Sequence, residues 1–96
     1  MFELEIINMS ELHDFASRHS SARKPITSWI AVTKAAGWKT FAEVRQTFRS
    51  ADYVKEQVVF NVGGNNYRLV SFIDYFAQRV FVLQVMTHSE YDRWKA

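Results

Sequence analysis

Residues Thr87-His88-Ser89-Glu90-Tyr91-Asp92 place an imidazole, a phenol and two carboxylates within two helical turns, with Lys95 one turn beyond. Thr87 and Glu90 have the spacing of a capping box, so a short helix is predicted from here through Trp94, with His88 in its first turn. Anions are favoured at that end of a helix, a position that suits a general base or a proton shuttle beside a phosphate. Tyr91 at i+3, Asp92 at i+4 and Lys95 at i+7 can line the same side as His88. On the plain alternative, His88 is a surface residue at a helix start and Tyr91 packs on the core. A second chemical candidate, Arg68, lies in Val58 to Ile73, a strip centred on Asn61-Val62-Gly63-Gly64-Asn65-Asn66-Tyr67-Arg68. On a strand it shares a face with Val70 and Phe72, opposite Tyr67, Leu69, Ser71 and Ile73. Such a guanidinium is either paired with a carboxylate near the strand end or presented as a planar fork to a phosphate.

Other chemistries find less support. The histidines, His13, His19 and His88, include no pair at i, i+4, and the chain has no cysteine, so a metal site is not expected. Without cysteine there is also no disulfide framework and no thiol nucleophile. Gly63-Gly64 lacks the phosphate-loop pattern and a following helix. It reads as a turn that needs positive φ or close backbone approach.

The elements that would position these groups follow from periodicity. Phe2, Leu4 and Ile6 alternate with Glu3 and Glu5, the pattern of a half-buried strand. Ser10 is a candidate cap for a helix carrying Leu12, Phe15 and Ala16. Pro25 suits the first turn of a second helix, with Ile26, Trp29, Ile30, Thr33 and Ala36 at helical spacing and Gly37 as its stop. Thr40-Phe41-Ala42-Glu43 opens a third helix, with Phe41, Val44 and Phe48 on one face. Then the period changes. Val58–Val62, Tyr67–Ile73 and Arg79–Met86 are rich in β-branched and aromatic residues and are joined by connections of hairpin length. The expected class is α+β, in the order β-α-α-α-β-β-β-α, with helices on a small, mostly antiparallel sheet.

Composition bounds the rest. At 96 residues, 48% hydrophobic and 16% aromatic, the chain is expected to be a single folded domain, residues 1–96. Its start lacks the basic and apolar regions of a signal peptide, and no apolar run could span a bilayer, so a cytoplasmic location is expected. The net charge is only +2, but eight of the twelve bases fall within residues 18–55 against two acids. That excess suits a polyanion or an acidic protein, or simply a solvated helical surface.

The blocks Val59-Phe60-Asn61-Val62-Gly63-Gly64-Asn65-Asn66-Tyr67-Arg68-Leu69-Val70 and Val85-Met86-Thr87-His88-Ser89-Glu90-Tyr91-Asp92, with Ser50-Ala51-Asp52 upstream, resemble the HigB-type toxins of type II toxin–antitoxin modules. The match is sharpest over residues 50–94; residues 1–49 agree in length and helical character. The resemblance implies a RelE-like fold and an endoribonuclease that cuts mRNA on translating ribosomes and arrests translation. It also implies a HigA-type helix-turn-helix antitoxin, through which alone the chain would meet operator DNA.

In metal-independent RNA cleavage a ribose 2′-hydroxyl attacks the adjacent phosphate. The enzyme must take that proton, stabilise the phosphorane and protonate the leaving oxygen. Within the family's GGNxYR and THxEYD motifs, the resemblance assigns Arg68 to the phosphate, His88 to acid or base work, and Tyr91 to orienting the phosphate, stacking on a base or donating a proton. Lys55 and Lys95 are electrostatic candidates without a firm motif position. Asn61, Gly63, Gly64 and Asn65 read as architectural. Arg23, Lys24, Lys34, Lys39, Arg45 and Arg49 form the expected docking face for ribosomal RNA, or for an acidic antitoxin. The competing class is a non-catalytic RNA- or protein-binding module on the same fold. A gyrase-directed toxin on a related fold has no positive support in the residues.

Overall fold

Strand alternation, helix caps and two left-handed turns determine where the elements begin and end in the computed structural model, which describes residues 4–96. Phe2 and Glu3, part of the expected first strand, lie outside the described residues. That strand, β1, covers Glu5–Ile7, with Ile6 buried. Helix α1 covers Met9–Arg18. It starts earlier than a Ser10 cap would allow. Asn8 is the cap residue, at φ 73, and Ser10 Oγ donates to its side chain. A 3₁₀ turn, Ser20–Ala22, leads into α2, Arg23–Ala35, which stops just before Gly37. Helix α3, Phe41–Thr47, is capped by Thr40 Oγ1, which accepts from the Glu43 amide at 3.3 Å.

The strands that follow are β2, Asp52–Val54; β3, Gln57–Val62; β4, Tyr67–Asp74; and β5, Arg79–Thr87. Helix α4, His88–Lys95, closes the chain. The sheet order is β1-β5-β4-β3-β2, with β1 parallel to β5 and the other neighbours antiparallel. The α+β class therefore stands, but the predicted element order needs one more strand, β2, and the 3₁₀ turn. Strand β2 escapes sequence reading because its hairpin turn has no glycine. Lys55 and Glu56 themselves occupy the left-handed region, at φ 54 and 64. Both central positions of this two-residue turn need positive φ, a signal normally carried by Asn-Gly or Asp-Gly.

The two faces of the sheet have different covers. Val58, Phe60, Val62, Leu69, Ile73, Val80, Val82 and Val85 form a core with Leu12, Phe15, Ile26, Trp29, Trp38 and Val44 from the three preceding helices and their connections. The Phe60 ring packs edge-on against Trp29 and Phe48 and stacks with Trp38. On the opposite face Val59, Val70 and Met86 meet Tyr91 of α4, with Val54 and Trp94 at the margin.

A bulge in β5 makes this second cluster possible. Val70 pairs with Gln84 and Ser71 with Val82, so Leu83 is the extra residue. Val80 and Val82 face the core, and beyond the bulge Val85 takes that role. The shift turns Met86 toward α4 and sets Thr87 and His88 against the start of β4.

Candidate functional site

The β3–β4 turn meets the first turn of α4 at one end of the sheet. Gly63 and Gly64 both have positive φ, 67 and 66. At Gly63 a Cβ would lie 3.3 Å from the Tyr67 ring and 3.4 Å from Pro25 Cγ, so a side chain there is both strained and crowded. The Asn66 amide donates to the Gly63 carbonyl, and the Asn66 carbonyl accepts from the His88 amide at 3.0 Å. One otherwise free donor of α4 is thus spent on holding the helix to the hairpin. Thr87 and Glu90 form the predicted capping box in both directions, at 2.9 and 3.2 Å. Glu90 is held below the ordinary carboxylate range, chiefly by the hydrogen bond from the Thr87 amide and more weakly by nearby Arg93 and His19.

Arg68 lies on the α4 face, between Asn61 of β3 and Met86 of β5. It is 8% exposed and has no carboxylate partner among the described residues. Its Nη1 donates to the Asn65 carbonyl at 3.2 Å and the Tyr67 carbonyl at 3.1 Å, and its Cζ lies 5.5 Å from the Tyr91 ring centre. The carboxylate pairing considered from sequence is therefore replaced by carbonyls and a π-face. Neither Nε nor Nη2 is among the buried polar atoms left without a partner. Among the described residues these two nitrogens make no hydrogen bond, and a fork of this kind suits an anion.

Tyr91 is buried, as the plain reading expected, yet it also touches the charged groups of the site. The Lys95 ammonium sits 5.9 Å from its ring centre, on the helical stripe expected from spacing. Burial pushes the phenol up, with the Asp52 carboxylate as the next cause, while Arg68 pulls it down. At neutral pH it is a hydrogen-bond donor. The His88 side chain is half exposed, and its Nδ1 lies 3.8 Å from Asp92 Oδ2 one turn on. No hydrogen bond or ring contact joins it to Arg68 among the described residues. Lys55 crosses from the β2–β3 turn to the far end of α4, where Nζ donates to the Trp94 carbonyl at 2.6 Å and lies 4.6 Å from the Trp94 ring centre.

Arg68, His88, Tyr91 and Lys95 thus collect around α4, and Lys55 braces its C-terminus. The other predicted cations do not join them. Arg23, Lys24, Lys34, Lys39, Arg45 and Arg49 are all exposed on α2, on α3 and beside them. Arg23 and Lys34 lie near opposite ends of α2, roughly 16 Å apart at helical rise, so these cations are spread along a surface.

Sequence reasoning weighed His19 only as a metal ligand. It stacks on Phe15 with ring centres 4.2 Å apart and meets the Tyr67 ring edge-on at 5.9 Å. Tyr67 in turn shares a hydrogen bond with Ser21 through its hydroxyl. This places a second imidazole beside the first turn of α4. Its usable signal was the i, i+4 spacing from Phe15; its approach to β4 is a long-range contact. Among the described residues no three His, Asp or Glu side chains gather as a metal site would require.

A sequence model of the HigB toxins, described as the RelE-like toxic component of a toxin–antitoxin system, matches residues 22–94. The chain is 31% identical to the mRNA interferase toxin HigB of Escherichia coli strain K12, over 97% of this chain and 92% of that protein. An mRNA interferase HigB from Escherichia coli O6:H1 is 29% identical, over 94% and 90% of the respective chains. The matched region contains β2–β5 and all of α4 except Lys95, and with them Arg68, His88 and Tyr91.

Proposed function

Because this chain belongs to the HigB toxin family, the RelE-like toxic components of toxin–antitoxin systems, we propose that it is an endoribonuclease that cleaves mRNA, acting on translating ribosomes without a metal ion. The observation that carries the reading is the meeting of Arg68 with the first half of α4. A guanidinium with one nitrogen bonded to two carbonyls lies 5.5 Å from the ring of a neutral phenol, on a helix whose first residue carries an exposed imidazole.

The chemistry needs no more than these groups. Arg68 takes the non-bridging oxygens of the scissile phosphate through Nε and Nη2 and stabilises the phosphorane. His88 moves a proton, either from the attacking 2′-hydroxyl or to the leaving oxygen. Tyr91 fixes the guanidinium from beneath and donates from its hydroxyl. Lys95 adds positive potential. The exposed Arg and Lys residues of α2 and α3 dock on ribosomal RNA, which makes the activity salt-dependent. A HigA-type helix-turn-helix antitoxin neutralises the chain and carries it to operator DNA. The chain works in the cytoplasm; no helix among the described residues is long and apolar enough to cross a membrane.

Induced expression without antitoxin tests the proposal. Wild type should stop growth and fragment messages, and Arg68→Ala or His88→Ala should relieve both. Normal growth with well-expressed, folded wild type would end it. The second reading, a binding module without catalysis, draws on one observation: Nη1 of Arg68 is committed to two carbonyls, while among the described residues Asp92 is the only carboxylate within ion-pair distance of the His88 ring. Cleavage mapped in a translating extract, and lost in His88→Ala with RNA binding retained, would exclude that module.

A further inference from the structure

The opposite end of the sheet carries a feature that the proposed reaction leaves unused. The β4–β5 connection and the segment after α2 border an open cavity of about 540 Å³, lined by Gly37, Lys39, Tyr75, Phe76 and Gln78. It lies the length of β4 from Arg68, roughly 20 Å at strand rise.

The hairpin tip is pinned. The Ala77 amide donates to Asp74 Oδ1 at 3.0 Å, and Gln78, at φ 58, donates from Nε2 to the Trp38 and Tyr75 carbonyls, both at 2.7 Å. The Gln78 carbonyl accepts from the Glu5 amide. On this fixed tip the Phe76 ring is fully exposed, at 101%. A phenyl group held outward from a braced turn contributes nothing to the core. Among the described residues Lys39 makes no ion pair; Glu43 accepts only its backbone amide. Burial, with Tyr53 as a lesser cause, pushes the Tyr75 phenol up, so it stays neutral. Tyr53 packs against Phe41 at the start of α3, with ring centres 5.8 Å apart.

Among the described residues no carboxylate lines this cavity, and Lys39 is the one charged residue of its lining. Its occupant should carry a flat apolar ring, an anion and a donor for the Gln78 amide oxygen, which accepts no hydrogen bond among the described residues. A nucleotide has all three. We infer that the cavity is a nucleobase subsite for single-stranded RNA, with a base stacked on Phe76 and a phosphate paired with Lys39. The inference rests on the reading that RNA is the substrate, but its residues take no part in cleavage.

The test is fluorescence anisotropy of a short fluorescein-labelled 2′-O-methyl RNA with the full chain, which cannot be cut because its 2′-hydroxyls are blocked. Phe76→Ala should weaken binding roughly tenfold, the loss expected for one stacked base, and Phe76→Tyr should restore it. Lys39→Gln should make the slope of log affinity against log salt shallower by about 0.7, one single-strand phosphate contact. Urea midpoints should not move, since both side chains are exposed. Unchanged binding by Phe76→Ala and Lys39→Gln overturns the inference, as does a wild type with no measurable affinity. So does a Phe76→Ala variant that keeps RNA affinity but loses the antitoxin, which would make the cavity a protein-docking site. A wild type that never cleaves messages, yet binds this RNA through Phe76, removes the nuclease reading and leaves the subsite standing.

Discussion

Replacing Arg68 with alanine separates what this residue does for the fold from what it is proposed to do for a phosphate. The side chain gives the protein two hydrogen bonds from one nitrogen and one contact with the Tyr91 ring. At 3.1 and 3.2 Å both bonds are longer than a short charge-assisted contact. Their loss with that of the cation–π contact should destabilise by about 1–3 kcal/mol. A chain of 96 residues is stable by roughly 5–14 kcal/mol, so the variant retains about 2 kcal/mol or more and stays almost wholly folded. Losing a transition-state donor should instead cut the cleavage rate by about 10²–10³. Folding loss is far too small to account for that. Urea denaturation and single-turnover cleavage in a translating extract, run on the same preparations, give the two numbers. Arg68→Lys should recover the charge but not the fork, and so only part of the rate. An Arg68→Ala protein that is folded and cleaves like wild type would refute the assignment. So would a rate that falls only in proportion to the folded fraction.

Four further outcomes are expected. Thr87→Ala removes the α4 cap and should cost about 1 kcal/mol, read as a lower urea midpoint. Glu90 is depressed in the fold, so its stabilisation is fully present above the ordinary value of 4.5 and fades as pH falls through the lower folded value. The stability advantage of wild type over Glu90→Gln should therefore shrink only below pH 4.5, and a constant difference down the acid limb would contradict the cap geometry. Glu56→Gly relieves a left-handed non-glycine residue and should raise stability by roughly 0.5–1 kcal/mol in thermal or urea melts, whereas a loss would show that the side chain matters more than the backbone. His19→Phe keeps the stack on Phe15 and should preserve stability. If its cleavage rate also stays at the wild-type level, His19 is structural; a selective rate loss would make it part of the site.

Much of the scaffold is written in short-range chemistry. Thr87 and Glu90 announce α4 because a capping box closes within four residues. Gly63 and Gly64 announce the β3–β4 turn because positive φ is cheap only for glycine. The apolar alternation of β3 and β4 correctly placed Arg68 on a face with Val70, and spacing placed Tyr91 and Lys95 on one stripe of α4. The final arrangement depended on contacts that no local pattern contains. Lys55 and Glu56 make a hairpin turn out of residues that seldom do so, and β2 exists only because β3 is there to pair with it. The bulge at Leu83 reverses which side of β5 faces the core, and so decides that Met86, Tyr91 and Arg68 share a cluster. Alternation is a local property, but register is settled by the partner strand and by the packing of both sheet faces. Sequence alone offered Arg68, His88 and Tyr91 as candidates, and the resemblance to HigB-type toxins implied that they act on a phosphate. Tertiary structure decided that Arg68 meets carbonyls and a ring where a carboxylate was the alternative, and that His19 comes to rest beside α4. These are long-range contacts, set by the folded chain as a whole.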